Sequence, residues 1–205
     1  MRNTRITFTR QEKSDLLKAW AAISLAFAIV YIHRNPAALQ TPITIIIIAL
    51  SAAVTVGLGF ILHELAHKFV AIYHGCSAEF RANNTMLWVA IFMSFFGWVF
   101  AAPGAVMVHG ARGKKEVGLI SAAGPASNII LALIFLILTF MLPAELSKIA
   151  WYGMIINGML ALFNMIPVMP FDGRKVWLWN KTIYIVLAAL AVVFAFGQSF
   201  LGGIL

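Results

Sequence analysis

Five consecutive residues, HELAH at 63–67, have the types and spacing to support metal-assisted hydrolysis. On an α-helix, residues four positions apart lie about 40° apart around the axis and about 6 Å apart along it. The imidazoles of His63 and His67 can therefore reach one cation, and a zinc ion with Zn–N bonds of about 2.0–2.1 Å suits such a pair. Glu64 follows His63 directly, about 100° further round the helix. From there its carboxylate reaches a water beside the metal rather than the metal itself, the place of a general base. With five histidines in 205 residues, and as many glutamates, chance produces this pattern in about three chains per thousand.

The elements that must position these groups are apolar. The chain is 62% hydrophobic and 11% charged, with a mean hydropathy of +0.92. A soluble domain carries about 25% charge, so most of this surface faces lipid, and a bilayer is the expected environment. The apolar runs predict spans at 16–32, 41–73, 117–142, 149–168 and 182–201. The second is longer than one perpendicular crossing needs, so it tilts, projects, or kinks near Gly57 and Gly59. One membrane domain fills 1–205, with no linker and no internal repeat. The fold class is all-α, with about five transmembrane helices.

The formal net charge of +8 comes from cations in short stretches between apolar runs, a pattern that orients membrane proteins and does not suggest nucleic acid as a partner. Arg2, Arg5, Arg10, Lys13 and Lys18 place the N-terminus in the cytosol, and Arg112, Lys114, Lys115, Arg174, Lys175 and Lys181 mark later cytosolic stretches. For these signs to agree, 86–108 must enter and leave on one side, as a re-entrant or interfacial segment bordering protein or a wet cavity. The alternative is an ordinary sixth span.

A third metal ligand follows by elimination. The chain has two aspartates, Asp15 and Asp172. Asp15 sits among basic residues before the first apolar run, whereas Asp172 ends an apolar run. Glu12, Glu79, Glu116 and Glu145 lie in polar or interfacial stretches. With five spans, the HELAH span and the span before Asp172 both run toward the cytosol and their ends can meet. With six, Asp172 emerges on the opposite face. A polar residue at membrane depth costs about 2.5–3.5 kcal/mol or more, and a shared cation compensates the cluster. His33, His74 and His109 are poor ligand candidates by position, and the lone Cys76 reads as a buried thiol.

HELAH, AAGPASN at 122–128 and FNMIPVMPFDG at 163–173 together resemble the site-2 protease family of intramembrane metalloproteases, over a core of about 58–175. The resemblance implies Zn2+ held by His63, His67 and Asp172, with Glu64 as catalytic base. It implies that Asn164 helps hold substrate or the developing oxyanion. It implies cleavage of membrane-protein substrates, in a prokaryotic cell membrane. The PDZ and CBS modules of many members have no counterpart here, and the family's glycine-rich segment appears only loosely, as APGAV at 102–106.

Two further expectations concern substrate. Asn128 is either a second oxyanion donor or a helix-packing residue. The segment 105–108, after Pro103 and Gly104, is either a plain buried loop or a short β-strand whose edge, with Gly104 and Val106, pairs with an extended substrate. A competing reading from another class is a zinc or proton transporter with the same three ligands along its route, although no pair of matching halves supports it. Oligomeric state is not readable from the sequence.

Overall fold

In a computed structural model, residues 6–99 and 103–197 are described. Arg2, Arg5 and the end of the last expected span, 198–201, lie outside the described residues, as do 100–102 within the expected re-entrant segment. The chain divides into two compact units, one comprising Thr7–Ile61 and Glu79–Met107, the other built from Leu62–Ala78 and Val108–Leu205.

Among the described residues, four helices are long and apolar enough to cross a membrane: Arg10–Arg34, Pro42–Tyr73, Gly113–Met141 and Ala144–Asn164. The fold is thus an all-α membrane protein with a small two-stranded sheet. Helix α1 is Arg10–Arg34. The second crossing element is a continuous helix in which α2 (Pro42–Ala52) passes through a π turn at Ala53–Gly57 into α3 (Leu58–Tyr73). Gly57, one of the two positions at which a kink was one of three alternatives, closes this π turn.

In the first unit, Gly57 lets α1 approach the π turn closely. A β-carbon there would collide with the Ser24 hydroxyl and lie 2.7 Å from the Trp20 Nε1. The Trp20 indole donates to the Ala53 carbonyl at 3.2 Å. Strand β1 (Ser77–Ala82) pairs with β2 (Gly104–His109), and α4 (Asn84–Ser94) lies between them in sequence. At 11 residues, α4 is about 16 Å long, far short of the ~30 Å hydrocarbon core. The segment 86–108 is therefore not one continuous spanning helix.

Strand β1 occupies the polar or interfacial stretch that carries Glu79. Its backbone is used on both edges. The Phe80 N–H donates to the Glu12 carboxylate at 3.0 Å and the Ala82 N–H to Asp15 at 3.4 Å. On the alternate edge, the Asn83 N–H donates to the Pro103 carbonyl at 2.9 Å. Glu12 and Asp15, which belong to the polar stretch before the first apolar run, are consequently buried in α1. The cost of burying them is offset by the charge-assisted bonds they accept.

In the second unit, α5 (Gly113–Met141), α6 (Ala144–Asn164), α7 (Asp172–Trp179) and α8 (Lys181–Phe196) pack together. Small residues set the close approaches, as expected where lipid removes the hydrophobic drive for helix association. Gly153 of α6 accommodates the Phe135 ring of α5, and Gly158 lies against the backbone of α8 at Phe194 and Ala195. Ala132, Phe135, Ala150 and Met154 form one buried cluster, and Ala122, Met165 and Val176 another. Helix α8 has 16 described residues, shorter than a full crossing.

Candidate metal centre

The second unit holds His63, Glu64, His67, Asn128, Asn164 and Asp172, whereas Gly104 and Val106 belong to the first. The α3 period carries His63 and His67 on one face, with ring centroids 4.7 Å apart. Both are buried, as is Glu64 between them. Asp172 is the first residue of α7. It is delivered there because Gly173 has no side chain: a β-carbon at 173 would overlap the Met165 carbonyl. The chain can therefore fold back over the end of α6, and Met165 is buried beneath it.

Three ligand atoms converge, one each from His63, His67 and Asp172, all within 4.8 Å of one another. The His67 Nε2 lies 3.0 Å from the His63 Nε2. The Asp172 Oδ2 is 3.0 Å from the His67 Nε2 and 3.6 Å from the His63 Nε2. The outward nitrogen of each ring fixes what these atoms are. The His67 Nδ1 faces the Ile120 carbonyl at 2.7 Å, and a carbonyl only accepts. That nitrogen therefore carries the proton, and the Nε2 presents a lone pair. The His63 Nδ1 lies 2.6 Å from the Asn128 Oδ1, which also only accepts, so its Nε2 is likewise bare. Two imidazole lone pairs and a carboxylate oxygen at this range repel unless a cation lies among them. The donor set, two neutral histidines and one carboxylate, suits a divalent metal with an open position.

The wall opposite the imidazoles is Gly124 of α5. A β-carbon there would occupy the space of both Nε2 atoms. Pro125 follows inside the helix, removing the N–H that would bond to the Ser121 carbonyl and loosening the ladder beside Ile120. On the outer side, the Asp172 Oδ1 takes the Lys175 ammonium at 3.4 Å.

The fold thus brings together His63, His67, Asp172 and Asn128, with Asn128 as the outer partner of His63. The Asn164 amide nitrogen instead donates back to the Leu160 carbonyl at 2.9 Å. Gly104 and Val106 are half-buried residues of β2, in the pattern of alternating burial along that strand. The sequence reading missed Asn157, wholly buried and bonded to Asn128 through its Oδ1 at 3.0 Å. Its signal was an amide within an apolar span. It also missed Lys68, buried beside His67.

The chain is 36% identical over 184 residues to MJ0611 of Methanocaldococcus jannaschii, covering 88% of this chain and 90% of that protein, which is provisionally named a zinc metalloprotease. Rip3 of Mycobacterium tuberculosis carries the same provisional name. It is 34% identical over 127 residues, 58% of this chain and 28% of its own. YwhC of Bacillus subtilis, named likewise, is 30% identical over 145 residues, 60% of this chain and 65% of its own. No family model matches the chain, and no solved structure does.

Proposed function

Because the chain belongs to the site-2 protease family of zinc metalloproteases, we propose that it is an intramembrane zinc endopeptidase that hydrolyses peptide bonds within or near the transmembrane segments of other membrane proteins. The observation that carries this reading is the convergence of three lone-pair donors, His63 and His67 from the helix that also bears the buried Glu64 and Asp172 from α7. Those three residues would hold the metal. When bound, zinc supplies Lewis acidity toward a water molecule and the scissile carbonyl. Glu64 accepts the proton of the attacking water and passes it to the leaving amine, the two halves of general acid–base catalysis. The Asn164 amide, turned from the Leu160 carbonyl, is the proposed donor to the developing oxyanion.

An α-helical substrate hides its peptide bonds, so it must be drawn out before attack. The free edge of β2, at Gly104 and Val106, is the proposed platform. The inner edge of β2 pairs with β1, whose Phe80 and Ala82 N–H groups are taken by Glu12 and Asp15, so an added strand would pair on β2. The cationic stretches support a multi-pass cell-membrane protein with a cytosolic N-terminus.

The test uses purified protein in proteoliposomes with a single-span substrate. Cleavage should stop with a chelator and return with zinc. Chelator-insensitive cleavage, or zinc flux without cleavage, would overturn the reading.

A further inference from the structure

The His63 imidazole is connected to a chain of buried amides that runs away from the metal centre. The His63 Nδ1 meets the Asn128 Oδ1 at 2.6 Å. The Asn128 Nδ2 donates to the Asn157 Oδ1 at 3.0 Å, and the Asn157 Nδ2 donates to the Gly153 carbonyl at 2.9 Å. Asn128 lies on α5 and Asn157 on α6, and neither exposes any surface. We propose that Asn157 is a positioning residue for the metal centre: acting through Asn128, it fixes the tautomer of His63 and leaves the Nε2 free for the cation.

The direction of this chain is set from its far end. The Gly153 carbonyl can only accept. The Asn157 nitrogen must face it, which turns the Asn157 oxygen toward Asn128. That oxygen also only accepts, so the Asn128 amide presents its nitrogen there and its oxygen to His63. The Asn128 oxygen in turn requires a proton on the His63 Nδ1. If the Asn128 amide were reversed, its N–H would face the Nδ1. The proton would then sit on the Nε2 and block metal binding. His67 reaches the same state in one step, through the Ile120 carbonyl. His63 needs two amides because its outer nitrogen meets a side chain that can turn.

An ordinary interhelical hydrogen bond would also join α5 and α6. Adhesion of that kind is indifferent to which way the amides point, whereas metal affinity is not.

The inference rests on the zinc-protease reading, and its test separates the two. Zinc affinity is measured on the full chain in micelles by competition with a chromogenic chelator, for the parent, Asn157→Leu and Asn157→Asp. Outer partners of metal-bound histidines are worth about 10–100-fold in affinity. Asn157→Leu should weaken zinc binding at least about 10-fold, while Asn157→Asp, which keeps an acceptor facing Asn128, should bind as the parent does. Equal affinity in the Leu variant, or equal loss in both, overturns the positioning role while leaving the protease reading intact. A parent that binds no zinc overturns both. If Asn157→Leu does not fold, 15N NMR of the zinc-loaded, histidine-labelled parent decides: a protonated Nδ1 and metal-bound Nε2 on His63 support the proposal, and the reverse sinks it.

Discussion

Gly124 stands so close to His67 that a β-carbon on the glycine would fall on the imidazole Nε2. The same atom would meet the Nε2 of His63, so a single hydrogen atom on α5 separates a usable donor pair from an obstructed one. Gly124→Ala should therefore weaken zinc binding about 10-fold or more. Alanine is the better helix former, so helical content by circular dichroism should not fall. Unchanged zinc affinity would show that the imidazoles have room to move aside.

Asp172 supplies the only carboxylate in the three-residue ligand group. Asp172→Ala leaves two histidines, fewer than the three protein ligands of catalytic zinc sites. Zinc per chain after dialysis, read by elemental analysis, should drop from about one to a small fraction.

Glu64→Gln keeps the size and burial of the side chain but cannot accept a proton from water. Cleavage should slow about 10²–10⁴-fold while zinc content stays at the parent level. Parent-like turnover would remove Glu64 as the base.

The thiol of Cys76 is buried near the end of α3, packed with Ala71 and Ile120. Burial pushes its pKa up, Glu116 adds to the rise, and Arg112 opposes it. A raised thiol pKa means less thiolate at any pH below it. Maleimide labelling of the folded protein at pH 8 should be slow and should speed up in denaturing detergent. Rapid labelling without denaturation would contradict the packing.

Glu12 accepts the Phe80 N–H in a buried setting. Glu12→Ala orphans that donor, at a cost of about 1–3 kcal/mol. The expected result is a lower thermal midpoint with zinc stoichiometry retained, measured by fluorescence in micelles.

The spans, the HELAH helix and Asp172 were legible in the sequence because each rests on a local property. Apolar runs mark membrane helices through transfer energy. A spacing of four places two histidines on one face through the helical period alone. Asp172 could be found because acids at membrane depth are expensive and this chain has few. The tertiary structure decided which groups complete the centre. The Ile120 carbonyl has no side-chain signature, Gly124 is one of 15 glycines, and Asn157 is an amide in an apolar run until it is seen bonded to Asn128. Strand β1 was hidden for the same reason, since its edge is satisfied by carboxylates 67 and 68 positions away. Hydropathy and periodicity act along the chain, whereas the direction of a hydrogen bond and the absence of a β-carbon matter only where distant segments touch.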